Sequence, residues 1–298
     1  MLDDNTAELV MTADGIIRNI VFVEELVNAA PPIQGWKFTA LKPALDIENV
    51  RMNMANYVFD SESLSFYSND HTDFPDEIDI TIIHRDFNDE DNSSITNGTY
   101  IFLDNYIGEL NSVTTIDNVI VIGKGDAKKE LVPIEKLKDF LIWREKEFIE
   151  KYEGVLQNTD NAEFSILEAE LESGNKLIAT INTDILNWGN KASHPWLLNI
   201  AIKYESQANN GMPDEETYQL LNEFENKVLE ELKDFDGYLN IGRQTADNVR
   251  EIYFACKDFR KPSKLLHKLT GDNPNMNITY DIYKDKYWRS FNRFIYQN

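Results

Sequence analysis

The residues able to do chemistry in this sequence are few and widely spaced. Four histidines are present, His71, His84, His194 and His267, and none forms a His-x-x-x-His pair or lies beside the cysteine. Because no local spacing matches a zinc site, only the fold could assemble one. We therefore interpret these histidines as exposed or hydrogen-bonded structural residues.

The other local motifs also fall short of a catalytic pattern. Cys256 ends an apolar run without a neighbouring base, so we expect its thiol to pack in a core. The segment G-K-G-D at 123–126 lacks both the Ser or Thr of a phosphate loop and the third glycine of a dinucleotide fingerprint. The acidic segment 86–97 lacks the central glycine and final glutamate of a calcium loop. We predict no catalytic residues, no metal and no cofactor.

The overall charge limits the class of partner. The chain has 298 residues with 52 acidic and 29 basic side chains, a formal net charge of −23. Such a chain repels phosphate backbones and anionic membrane surfaces, so we do not expect it to bind nucleic acid or membranes. A hydrophobic fraction of 42% nevertheless predicts a folded protein. A protein partner with a basic surface fits this charge best.

The C-terminal segment has the opposite charge. Residues 257–298 contain nine basic and four acidic side chains, so their net charge is +5. Two interpretations remain: a stacking platform for single-stranded nucleic acid, or a final strand at 288–296 whose aromatic side chains are core. We favour the second, because the surrounding charge repels phosphate. The aromatic residues concerned are Tyr283, Tyr287, Trp288, Phe291, Phe294 and Tyr296.

Compartment and domain organisation follow from the wider pattern. The sequence shows no secretory signal, no apolar run long enough to span a bilayer and only one cysteine, so we expect a cytoplasmic location. Strand-like and helical periodicities alternate in both halves, which predicts an α+β fold with antiparallel sheets and helices packed on one face. We predict two domains, 1–153 and 162–298, joined by a polar linker at 154–162. The oligomeric state stays open.

A series of short segments in the second half resembles the bacterial domain-of-unknown-function 695 family. The resemblance covers about residues 162–298 and implies ferredoxin-like α+β units, with no established reaction or catalytic residues. Members are sometimes found beside or fused to a domain similar to the regulator of ribonuclease E activity B, which inhibits by binding. The first half looks like an upstream domain that often accompanies the family. The segments that resemble the family are S-H-P-W-L-L at 193–198, G-M-P-D-E-E at 211–216, G-R-Q-T at 242–245, R-E-I-Y-F at 250–254 and D-K-Y-W at 285–288.

The resemblance suggests where a binding site would lie. The polar or aromatic residues of these segments that we select are His194, Arg243, Thr245, Arg250 and Trp288. We predict from them, together with the acidity, a non-enzymatic protein-binding or regulatory module with an acidic surface. The alternative is an enzyme or small-ligand binder with a pocket near His194 and Arg243.

Overall fold

The chain folds into two compact units, residues 1–153 and 154–298. A computed structural model describes residues 5–159, 162–206 and 210–295. Both units combine helices with β-sheets in which antiparallel pairs predominate, so the predicted α+β class is confirmed.

In the part of the N-terminal unit that the structure describes, residues 5–153, there are a four-stranded sheet, two smaller sheets and four α-helices. Its strands are β1 (Ala7–Met11), β2 (Trp36–Ala40), β3 (Met52–Met54), β4 (Tyr57–Phe59), β5 (Leu64–Asn69), β6 (Asp79–His84), β7 (Asn118–Gly123) and β8 (Val132–Pro133). Its helices are α1 (Ile17–Asn28), α2 (Asn92–Ile107), α3 (Glu109–Thr114) and α4 (Leu137–Tyr152).

The main sheet of this unit has the strand order β7-β6-β5-β8. Strand β6 lies inside it, parallel to β7 and antiparallel to β5, and all six of its residues are buried. The apolar residues of β5 and β6 join those of α2 and α4 in one core. Strands β1 and β2 pair in parallel through the α1 crossover, and β3 and β4 form a hairpin.

Within the described residues, the C-terminal unit has one six-stranded sheet and three α-helices. Its strands are β9 (Ser165–Glu170), β10 (Lys176–Ile181), β11 (Trp196–Lys203), β12 (Tyr238–Ala246), β13 (Val249–Cys256) and β14 (Asn277–Lys284). Its helices are α5 (Thr183–Leu186), α6 (Glu215–Glu231) and α7 (Arg260–Asp272). The sheet has the order β14-β11-β13-β12-β10-β9, and every pair in it is antiparallel.

The two faces of this sheet have different coverings. Directly paired residues share a face, so Arg250 of β13 and its partner Ile202 of β11 lie on one side. Arg250 donates a hydrogen bond to the side-chain oxygen of Asn222 on α6. On the same side, the Tyr280 hydroxyl of β14 donates to the carbonyl oxygen of Ser263 on α7. We call this side the helix face. The opposite side, which carries Tyr253, is the second face.

Gly242 allows β10 and β12 to approach each other. The register shifts between Asn240 and Gly242, and Gly242 has a φ of +133°. A Cβ atom at this position would lie 2.2 Å from the carbonyl oxygen of Thr180 in β10. A side chain at this position is therefore excluded by both space and backbone conformation.

The predicted final strand at 288–296 is wrong. Trp288 adopts a left-handed conformation with a φ of +53°, and Arg289–Phe294 form a 3₁₀ helix. The Asp285 carboxylate accepts bonds from the backbone N–H groups of Arg289 and Ser290, which turns the chain at this point. Trp288, Phe291 and Phe294 are buried on the second face, as expected for core residues, whereas Tyr296 lies outside the described residues.

Candidate functional site

The five residues selected from the resemblance fall into two separate groups. His194 and Trp288 meet in the core, because the Trp288 Nε1–H donates to the His194 carbonyl oxygen at 2.9 Å. Arg243, Thr245 and Arg250 meet on the helix face of β12 and β13. Each group is better explained by structure than by ligand binding.

His194 is sealed inside the protein. Its side chain is fully buried, its Nδ1 lies 2.8 Å from the Ser193 hydroxyl and its ring packs against Trp188. Burial, with a contribution from the positive charge of Lys257, lowers the pKa of the imidazole to about 3. The neutral ring therefore helps to fix the segment that leads into β11.

Arg243 and Arg250 share one buried carboxylate. Their NH1 atoms lie 2.8 and 3.8 Å from Oε2 of Glu225 on α6. Arg250 is only 2% exposed, and it also donates to Asn222 at 2.8 Å and to the Thr245 hydroxyl at 3.2 Å. Burial and the neighbouring Arg243 lower the pKa of Arg250. These contacts attach α6 to the sheet and leave Arg250 no surface for a ligand.

The residues adjacent to this group project to the second face. Successive strand residues point to opposite sides, so Gln244, Glu251 and Tyr253 lie opposite the selected residues. Gln244 and Glu251 are direct cross-strand partners, and Asn199 of β11 is the partner of Tyr253. The segments G-R-Q-T and R-E-I-Y-F thus contain polar residues for both faces. The alternation of side chains along these strands is the sequence signal that places Gln244, Glu251 and Tyr253 on the second face.

Glu251 is the centre of a hydrogen-bond network on the second face. Its carboxylate accepts from the Asn199 amide at 3.1 Å, from the Tyr253 hydroxyl at 3.1 Å and from the Gln244 amide. Burial and the Glu251 charge raise the pKa of Tyr253, which keeps the phenol protonated as a donor. The amide oxygens of Asn199 and Gln244 are buried and have no hydrogen-bond partner within the described chain.

Arg293 extends this network to the surface. Its NH2 donates to the Tyr253 hydroxyl at 3.1 Å, and its guanidinium lies 4.4 Å from the centre of the Phe294 ring. Its NH1 donates to the Ser290 carbonyl oxygen at 2.6 Å. Within the described chain no carboxylate lies within ion-pair distance of Arg293. The guanidinium can therefore donate hydrogen bonds to an anionic ligand group.

A cavity of about 340 Å³ opens beside this network. Glu168, Gln244 and Arg293 are the polar residues of its lining, and Leu167, Leu177 and Phe294 supply apolar surface. This volume lies at the lower end of the range for small-molecule sites, about 300–1,000 Å³. An apolar wall with a few convergent polar groups is the usual composition of such a site.

The outer edge of β9 is the second feature of this region. Strand β9 ends the sheet order, so no strand within the described residues pairs with its outer side. Segment 163–172 contains four acidic and no basic side chains, and all four acidic residues are exposed. Ile166 is 70% exposed. The acidic residues are Glu163, Glu168, Glu170 and Glu172.

A histidine–aspartate pair, His71 and Asp79, lines a different cavity in the N-terminal unit. His71 Nε2 lies 2.7 Å from Oδ2 of the buried Asp79, whose other oxygen accepts from Asn69 at 2.9 Å. The cavity measures about 400 Å³ and includes the exposed ring of Trp143. A hydrogen-bonded His–Asp pair can orient an imidazole, but no nucleophile contacts it in the described structure.

A third cavity, of about 690 Å³, lies in the C-terminal unit between residues 156–159 and the end of α6. None of these three cavities is lined by His194, Arg243 or Arg250. Cys256 is buried, as expected for packing, and burial raises the pKa of its thiol. Among the described residues no group of three His, Cys, Asp or Glu side chains is placed to hold a metal ion. Their helices are all too short or too polar to cross a membrane.

A comparison with known protein families finds a match within the C-terminal unit. No curated protein and no solved structure matches the chain. The matched region of a family model contains Gln244, Glu251 and Arg293, and it begins at Glu170, the last residue of β9. Residues 170–296 match the family described as Family of unknown function (DUF695), which confirms the resemblance for this part of the chain.

Proposed function

We propose that this protein is a non-enzymatic binding module that adds an extended, basic segment of a partner protein to the outer edge of β9. The observation that carries the proposal is the combination of an edge strand with four exposed carboxylates and no nearby cation in its own segment. Edge strands accept extended peptides through main-chain hydrogen bonds, and pockets or charges beside them select the side chains.

The backbone of β9 has the polarity that strand addition needs. Leu171 donates its N–H inward to Asn175, and inward and outward groups alternate along an antiparallel strand. The N–H groups of Ile166, Glu168 and Glu170 therefore point outward. A partner strand at this edge would satisfy all three.

Charge favours a basic partner at β9 over the other sheet edge. The side chains of Glu168 and Glu170 lie on one face of β9, so a partner with basic residues at alternate positions would place them opposite these carboxylates. Strand β14 at the opposite edge carries one acidic and one basic side chain, Asp281 and Lys284, so it has no comparable negative charge.

The topology adds support from analogy. We infer that the series β11-α6-β12-β13-α7-β14, with the order β14-β11-β13-β12, is a ferredoxin-like unit extended by the β9–β10 hairpin. The regulator of ribonuclease E activity B, which acts by binding, is the model for a regulatory role without catalysis. A cytoplasmic location is part of the proposal, and a single buried thiol is consistent with it.

The alternative function, a pocket near His194 and Arg243, has less support. His194 is enclosed in the core, and Arg243 is held by Glu225. A small-molecule site on this unit fits the second face better.

A binding assay with defined peptides tests the proposal. The probe is a synthetic peptide of alternating lysine and valine, titrated into the 298-residue chain, with a glutamate–valine peptide as the charge control. We expect the lysine peptide alone to bind, and to bind more weakly as salt is added. Ile166→Pro removes one outward N–H and should weaken binding at least about five-fold.

Matched variants separate the contributions of backbone and charge. Ile166→Ala keeps the N–H and should bind nearly as tightly as the wild type. Glu168→Gln with Glu170→Gln should weaken binding about two- to thirty-fold, the sum of two exposed ion pairs. The same charge change at Glu130 and Glu145, exposed in the other unit, is the control. Equal binding of both peptides, or unchanged binding by Ile166→Pro, would refute strand addition at β9.

A further inference from the structure

We propose that the 340 Å³ cavity on the second face of the C-terminal unit binds a free apolar α-amino acid. Arg293 would bind the carboxylate, Gln244 Oε1 would accept from the ammonium group, and the side chain would lie against Leu167, Leu177 and Phe294. This site uses no residue selected from the sequence and does not rest on the proposed partner binding. Its lining does include Glu168, which also belongs to the proposed partner edge of β9.

The polar groups of the cavity require a ligand with both a donor and an anionic acceptor. The Gln244 amide group donates to Glu251, so its oxygen is directed away from that carboxylate and is left buried without a donor. A buried acceptor without a partner is costly, and an ammonium group would satisfy it. Arg293 supplies the complementary cation, since no carboxylate of the described chain pairs with it.

The two polar groups belong to one connected arrangement. Gln244 and Tyr253 both donate to Glu251, and Arg293 donates to the Tyr253 hydroxyl. Hydrogen bonds therefore link the acceptor for the ammonium group to the guanidinium for the carboxylate. The opposite charges of Glu251 and Arg293 leave the network neutral, which matches a zwitterion better than a purely cationic or anionic ligand.

The size and lining of the cavity select the side chain. The apolar lining is aliphatic from β9 and β10, with the Phe294 ring on one side. Ala179, the direct partner of Leu167, also belongs to the lining, and its side chain is only a methyl group. A branched aliphatic side chain such as that of leucine fits such a wall, whereas glycine would leave it empty.

Isothermal titration calorimetry of the 298-residue chain tests the site with L-leucine and three analogues. Leucinamide lacks the carboxylate, 4-methylpentanoate lacks the ammonium group and glycine lacks the side chain. We expect leucine to bind, and each analogue to bind at least about ten-fold more weakly because one anchor is missing.

Two arginine variants assign the carboxylate site. Arg293→Met keeps much of the aliphatic stem. It should weaken the binding of leucine at least about ten-fold and leave the weaker binding of leucinamide unchanged. Arg289→Met, an exposed position outside the cavity lining, should bind leucine as the wild type does. Absence of leucine binding by folded wild-type protein, equal binding of the analogues, or an unaffected Arg293→Met variant would overturn the assignment.

Discussion

Arg250 and Arg293 show how the surroundings of a residue decide what it can do. Arg250 is buried, and its guanidinium is occupied by Glu225, Asn222 and Thr245. Arg293 is exposed and contacts only neutral groups and aromatic rings in the described structure. Arginine thus holds α6 at position 250, whereas at position 293 no carboxylate of the described residues pairs with it.

Loss of the Glu225 carboxylate should be costly. Glu225→Ala leaves the buried charge of Arg250 without its acidic partner, and we expect a loss of about 3–5 kcal/mol in the free energy of unfolding. Glu223→Ala on the exposed side of the same helix should change it by less than about 0.5 kcal/mol. Denaturant unfolding of both variants measures the difference. Equal stabilities would show that the pair does not hold the helix.

The buried imidazole of His194 should make stability depend on pH. Its pKa is about 3 when folded and about 6.5 when unfolded, so between these values only the unfolded chain binds the proton. Stability therefore falls as pH falls below 6.5, by about 1.4 kcal/mol per pH unit from this group. His194→Gln removes that contribution. From pH 6.5 to pH 4.5 the difference in unfolding free energy between wild type and variant should shrink by about 2–3 kcal/mol, and a constant difference would contradict the burial argument.

At the scale of elements, periodicity predicts most of the strands. It does not predict the 3₁₀ helix at Arg289–Phe294, where it indicates a strand instead. The alternation in 78–84 and the apolar run at 119–122 correspond to β6 and β7. Residues 288–296 contain the same residue types, yet Asp285 caps a 3₁₀ turn there, a contact that periodicity does not report. Periodicity does not predict the second-face network for a related reason. Its residues come from β11, β12, β13 and the terminal turn, and only the pairing brings them together.

Gly242 should be among the least replaceable residues of the sheet. Gly242→Ala would force a Cβ atom against the backbone of β10 at a positive φ, and we expect a loss of about 2–4 kcal/mol in unfolding free energy. Gly271→Ala in α7 has open space and an ordinary φ, and it should stabilise the protein by up to about 1 kcal/mol. Thermal or denaturant unfolding compares the two. A neutral Gly242→Ala would show that β10 and β12 can separate without cost.

At the scale of the whole molecule, charge is distributed unevenly. Residues 1–153 carry 13 basic and 30 acidic side chains, a net charge of −17, whereas residues 154–298 carry 16 and 22, a net charge of −6. The basic C-terminal segment does not present its buried aromatic side chains for stacking on bases, since Trp288, Phe291 and Phe294 are core. In the proposed binding mode, a partner at β9 meets negative charge beside outward N–H groups that no strand of the described residues pairs with.

Amide hydrogen exchange along β9 tests the central proposal most directly. Wild-type protein is saturated with the lysine–valine peptide, and the exchange rate of each β9 amide is compared with that of the free protein by NMR. Strand addition predicts that the outward N–H groups of Ile166, Glu168 and Glu170 become protected, while the already bonded Leu167 and Ala169 change little. Unchanged exchange at these three amides with the peptide bound would contradict the proposed binding mode.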